Sequence, residues 1–334
     1  MSIRKAAIAA IGTAAVCGTT FAAPANGASA DDARGSTSTA IKPGTLDRGK
    51  RAQALHMKER RIYDGKRSFT IKGPKGLNLV GKGDGGYVTV RYGRYHGHLW
   101  QIRPRRKARR LGLVEQAAYN GGDEYLVSDN GNGLAITEPE RTGFFVWVRA
   151  LPSGKQLRFQ APWDWTRAVA FPKNRVLFTT TESTYWYNAR TNKRTKVASD
   201  QSDLADPGEN RLVVGGDKGE KRYQLVEFRD PSTVLAEWQH GAGLEVSPDG
   251  KHFLAKNGKN RLQIRSLSDG HLVRTFYAAG RIDTDSARWE SDKRVLFSAK
   301  GHRVAANIRC TLGGACKRST GLARTINKLG IDWP

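Results

Sequence analysis

The chain has 334 residues and a formal net charge of +25, from 56 Lys and Arg against 31 Asp and Glu, with 38% hydrophobic residues. That apolar fraction is enough to bury a core, which excludes disorder throughout, and the length suits one large all-β domain or two ordinary ones. The charge points to anionic partners held in a salt-dependent way, although solubility alone also accounts for a Lys and Arg excess.

In chain order, Arg4 and Lys5 precede an apolar run from Ala6 to Val16, and Ala28-Ser29-Ala30 stands before Asp31. This pattern predicts a secretory signal peptide over residues 1–30 and an extracellular or cell-envelope location. The apolar run is interrupted by Gly12 and Thr13 and is shorter than the ~20 residues of a membrane span, so no span is expected. Val16 precedes Cys17 where lipidated precursors carry a small residue, which argues against a lipid anchor. Cys310 and Cys316 remain after the leader, and in an exported chain they are expected to pair across the Gly313-Gly314 turn. A metal pair or redox dithiol lacks nearby His ligands or a Cys-x-x-Cys spacing.

Residues 31–59, with Gly35-Ser36-Thr37-Ser38-Thr39, Pro43-Gly44 and few large apolar side chains, read as a linker needing no fixed structure. Asp64-Gly65 between Ile62-Tyr63 and Phe69-Thr70-Ile71 then predicts a hairpin. From Leu244 to Phe276, four short strand patterns are separated by the turns Ser247-Pro248-Asp249-Gly250, Asn257-Gly258 and Ser268-Asp269-Gly270. Similar second strands start at Tyr87, Tyr125, Arg175, Arg211, His252 and Arg294, and third strands include Trp100, Trp147, Trp186, Leu225, Gln263 and Asn307. Recurrence about every 40 residues predicts an all-β β-propeller of six complete four-stranded blades. These span about 77–112, 114–160, 165–198, 202–239, 242–277 and 282–320, with the 62–72 hairpin as a possible incomplete seventh. A two-sheet sandwich is the competing all-β reading. The propeller would occupy 60–320, and Leu322, Ile326, Leu329 and Trp333 in the tail 321–334 would dock on it.

The Ser247-Pro248-Asp249-Gly250-Lys251 turn, the Ala287-Arg288-Trp289-Glu290-Ser291-Asp292 lead into Arg294-Val295-Leu296-Phe297, and Ile308-Arg309-Cys310 with Cys316 carry a resemblance. They resemble WD-repeat-like and TolB-like propeller domains of exported bacterial proteins, over about residues 60–320. No Gly-His and Trp-Asp pair frames each blade. The resemblance implies a binding platform, and the job done on it has to be argued from the surface.

In such a ring the first-to-second and third-to-fourth strand turns share one face. That face would collect Arg105, Arg106, Lys107, Lys155, Lys173, Lys193, Arg194, Lys251 and Lys293, and is expected to be strongly positive. Its densest run is Arg103-Pro104-Arg105-Arg106-Lys107-Ala108-Arg109-Arg110. Such a run can hold phosphates or carboxylates through Arg, or can be a charged edge that deters sheet-to-sheet aggregation. The polyanion-binding candidates are therefore Arg103, Arg105, Arg106, Lys107, Arg109, Arg110, Lys193 and Arg194.

On the opposite face, Trp163-Asp164-Trp165 could stack on a sugar or pack between blades, and Asp283 with Asp285 could meet a cation or simply be hydrated. His96-Gly97-His98 supplies two imidazoles without an evident third ligand, and Ser128-Asp129-Asn130 lacks the companion motifs of a penicillin-binding site. No catalytic signature, metal site or cofactor motif is found. The expected function is a monomeric, secreted, non-enzymatic propeller that binds an anionic cell-envelope polymer or a protein partner, without specific nucleic-acid recognition. The alternative is a carbohydrate-active lyase or hydrolase using Asp164, Asp203, Asp283 and Asp285 with Trp residues at the channel mouth.

Overall fold

The structure, a computed structural model, describes residues 37–93, 96–115, 124–140, 143–151, 156–161, 166–172, 175–188, 191, 193–215, 222–239 and 241–326. Strand β1 (Thr37–Ile41) comes first, followed by the three-stranded blade 1, β2 (His56–Lys58), β3 (Arg61–Asp64) and β4 (Arg67–Thr70). Blade 2 holds β5 (Asn78–Gly83), β6 (Gly86–Tyr92), β7 (His96–Ile102) and β8 (Arg109–Glu115). Blade 3 holds β9 (Glu124–Val127), β10 (Gly133–Glu140), β11 (Gly143–Ala150) and β12 (Gln156–Ala161). Blade 4 holds β13 (Thr166–Ala170), β14 (Arg175–Thr180), β15 (Thr184–Asn188) and β16 (Lys193–Ala198). Blade 5 holds β17 (Ser202–Asp206), β18 (Arg211–Gly215), β19 (Arg222–Glu227) and β20 (Val234–Gln239). Blade 6 holds β21 (Gly243–Val246), β22 (His252–Asn257), β23 (Arg261–Ser266) and β24 (Leu272–Ala278). Blade 7 holds β25 (Arg281–Ser291), β26 (Arg294–Lys300), β27 (Ala305–Thr311) and β28 (Cys316–Arg318).

This is a β-propeller, and it has seven blades where six complete ones were expected. The hairpin expected at 62–72 becomes a true blade because β2 adds a third strand, pairing His56 with Tyr63 and Met57 with Ile62. Met57, Ile62 and Ile71 bury against Leu77, Leu79 and Tyr87 at the border with blade 2, so the short sheet gains a core of its own. Two stacked sheets are excluded, since the innermost strands of blades 1 to 7 pack side by side in sequence.

The expected linker is corrected too. β1 joins blade 6 as a fifth strand, parallel to β24, from Thr37 opposite Arg274 to Ile41 opposite Ala278. The chain then crosses the outer edge of blade 7, where the Gly49 N–H donates to the Arg318 carbonyl at 2.7 Å and the Arg318 N–H donates to that of Asp47 at 2.9 Å. Widely spaced apolar anchors explain why a polar stretch orders: Ile41, Ala52 and Met57 are buried, and Leu46 packs on the core. This strap closes the ring between the last blade and the first.

The core lies between neighbouring blades. Leu254, Ile264 and Phe276 of blade 6 meet Ile282, Val295 and Phe297 of blade 7, with Ile41 of the strap among them. Blade 6 has the turns expected of it: Gly250, Gly258 and Gly270 all take left-handed φ, between 68° and 70°. Ser247 Oγ donates to Asp249 and accepts from the His252 N–H, tying the first turn. Ser128 makes the same pair of bonds, to Asn130 and from the Gly133 N–H, so Ser128-Asp129-Asn130 is turn chemistry.

Blade 3 is offset by one strand from the expected order. Tyr125-Leu126-Val127, expected as a second strand, is the innermost one, and the second is β10. Cys310 and Cys316 are disulfide-bonded across the β27–β28 pair, with Cα atoms 4.2 Å apart. Among the described residues no helix is long and apolar enough to cross a membrane. Leu322 of the tail is exposed, Ala323 bridges to Ala305, and Leu329 and Trp333 lie outside the described residues.

Candidate polyanion-binding surface

The basic run falls on the hairpin from β7 to β8 at the outer rim of blade 2. Arg105 takes a left-handed φ of 62°, which turns the chain and leaves Arg105, Arg106 and Lys107 all exposed. The Ala108 N–H donates to the Lys72 carbonyl at 3.1 Å, so the connection from blade 1 is tied to this hairpin and exposed Lys72 joins the row. A Cβ built on Gly73 would lie 2.8 Å from the Ala108 Cβ, which shows how close the two segments come.

No carboxylate pairs with Arg105, Arg106 or Lys107 among the described residues. Arg109 and Arg110 continue the row along β8, both exposed. Arg110 Nη2 lies 2.8 Å from His98 Nδ1, and the imidazole is pushed below its ordinary pKa by desolvation first, then by Arg110, Arg91 and His96. A neutral His98 therefore accepts from Arg110. Arg103 stands apart: its side chain packs over Gly86, and its Nε is buried without a partner.

Lys193 and Arg194 are exposed on β16 with Lys196 beside them. Blade 3 separates them from the blade 2 row, so the structure gives two basic rims rather than one patch. On the face that carries the first-to-second strand turns, a cavity of about 350 Å³ opens between blades 5 and 6. Arg211, Lys251, His252 and His271 line it together with Glu209. Arg211 is committed to the Leu267 and Asn210 carbonyls at 3.0 and 3.1 Å, and His271 Nδ1 lies 2.6 Å from Asp269.

Two of the acids named for catalysis, Asp203 and Asp283, stand on different blades. Asp203 on blade 5 is raised by burial but bonds Arg167 at 3.1 Å, while Asp283 on blade 7 is raised by burial and then by Asp285, against Arg281 at 3.6 Å. Blade 6 lies between them. Trp163, Asp164 and Trp165, like Lys155 and Lys173, lie outside the described residues. Among the described residues no three His, Cys, Asp or Glu side chains group as metal ligands, so His96 and His98 gain no third partner. Glu245, which the sequence did not single out, is the acid pushed furthest upward among the described residues, from 4.5 to about 7 by burial against Arg288 and the Trp289 N–H.

No protein-family model and no curated protein matches the chain. Solved structures do match in fold. A chain of the "Mitotic Checkpoint Complex" crystal structure aligns with a TM-score of 0.55 at 13% identity, over 85% of each chain. The uncharacterized protein lmo1340 from Listeria monocytogenes EGD-e aligns with a TM-score of 0.52 at 12% identity, over 75% of this chain and 86% of its own. A functionally unknown protein from Desulfotomaculum acetoxidans DSM 771 gives 0.51 at 13% identity, over 80% of this chain and 97% of its own. At such identities the likeness supports the β-propeller fold and says nothing about activity.

Proposed function

We propose that the chain is an exported, non-enzymatic propeller that docks anionic cell-envelope polymers on the basic rim of blade 2. The observation that carries this reading is the row Arg105, Arg106 and Lys107: three exposed cations on one turn, unpaired by any described carboxylate. Buried or half-buried acids elsewhere are already engaged, Glu290 by Arg309, Asp203 by Arg167 and Asp64 by Lys82. The fixed hairpin presents its charges without ordering a loop on binding, which keeps the entropic cost of docking low.

Arg favours phosphate and carboxylate through its planar fork, and successive polymer charges can engage successive side chains. A protein partner with an acidic surface would use the same row. Charge reversal at Arg105, Arg106 and Lys107, read as the salt dependence of binding to an immobilised polyanion, tests the proposal.

A further inference from the structure

A second cavity, of about 190 Å³, lies at the seam where the strap meets blades 7 and 1. Its lining includes Arg48, Arg51, Lys58, His56, Tyr63 and Thr320, and no acidic side chain. From these residues we infer that the seam cavity is a binding site for one phosphoryl-type oxyanion, independent of the polymer-docking row on blade 2.

The donor set is built rather than incidental. The Arg51 guanidinium sits 4.0 Å from the Tyr63 ring centroid, and the His56 ring stacks on the same Tyr63 ring, with centroids 4.7 Å apart and planes 16° from parallel. Cation–π contact holds the cation in place while leaving its N–H groups to donate. Tyr63 Oη makes no hydrogen bond among the described residues. Thr320 Oγ1 accepts from the Asn307 N–H at 3.0 Å, which leaves its own proton to donate.

Exposed Arg48 and Lys58 complete the cationic lining, and no described carboxylate pairs with either. The carboxylate most able to neutralise the seam, Glu290, is occupied by Arg309 Nη2 at 2.7 Å and by the Gln53 N–H at 2.5 Å. Three cations with two hydroxyl donors match a tetrahedral anion with several acceptor oxygens better than a planar carboxylate with two.

The test is calorimetric titration of the full chain with inorganic phosphate and, separately, with glycerol phosphate diester, at constant ionic strength set with chloride. Saturable binding of phosphate is expected, at least 10-fold weaker in Lys58→Gln and in Arg51→Gln, and unchanged in the variant with Arg105, Arg106 and Lys107 reversed to Glu. Binding of the diester as well would place the ligand on a polymer, whereas binding of phosphate alone would make it a free or terminal phosphate, and either supports the site. Lys58 is exposed, so Lys58→Gln stays folded and reads the site even if Arg51→Gln does not. No saturable heat with either anion, or equal affinity in Lys58→Gln, overturns the inference, whereas full polymer docking by the variant with Arg105, Arg106 and Lys107 reversed to Glu, with phosphate binding intact, would sink only the blade 2 reading.

Discussion

Glu245 and Trp289 clasp two blades together: the Trp289 main-chain N–H donates to the Glu245 carboxylate at 2.7 Å, and the indole N–H donates to the Glu245 carbonyl at 3.2 Å. Burial pushes the Glu245 carboxyl from 4.5 to about 7, with Arg288 and the Trp289 N–H opposing. The unfolded chain releases this proton near 4.5 while the folded chain keeps it to about 7. Stability from this group is therefore full below 4.5, falls as pH rises to about 7, and levels off above. Glu245→Gln should match the parent at pH 4 or below and exceed it at pH 8 by up to about 3 kcal/mol. Urea midpoints at the two pH values check this, and an equal gap at both would refute it.

Arg309 joins the strap to blade 7. Its guanidinium holds Glu290, whose side chain is 2% exposed, and donates to the Lys50 and Arg51 carbonyls at 2.8 and 2.7 Å. Arg309→Ala leaves a buried carboxylate unpaired and should cost about 3–5 kcal/mol, whereas adding Glu290→Gln to it should restore part of that loss. Denaturant unfolding of the two variants measures the difference.

Ile41 is 1% exposed and packs with Phe276 and Phe297 although it comes from the strap. Ile41→Ala should destabilise by about 2–5 kcal/mol, as for other buried aliphatic truncations. Hydrogen exchange should show faster opening of β24, the strand that β1 covers. A variant indistinguishable from the parent would mean that the strap does not belong to the folded ring.

What the sequence disclosed follows from how local each signal is. Blade 6 was legible strand by strand because its turns use Asp249-Gly250, Asn257-Gly258 and Asp269-Gly270, each needing a left-handed Gly. Blade 3 slipped because its innermost strand, Glu124–Val127, is short and apolar like a second strand, and because Pro139 interrupts the long β10 pattern. The strap was hidden by its polar composition, since Ile41, Ala52 and Met57 are too far apart to show a period.

The basic hairpin of blade 2 could be read directly, as its charges are consecutive. The seam cavity could not, because Thr320 meets Arg51 and Tyr63 only after the ring closes. A signal existed in the density of Arg48, Lys50, Arg51 and Lys58 within residues 31–59, whose composition reads as a linker.

Salt-gradient elution from an immobilised anionic polymer, comparing the parent with the variant in which Arg105, Arg106 and Lys107 are all Glu, bears on the central proposal most directly. The account predicts that the parent is retained to high salt with a steep dependence of affinity on salt concentration, and that the variant binds at least 10-fold more weakly with a shallower slope. A folded variant eluting with the parent would contradict it.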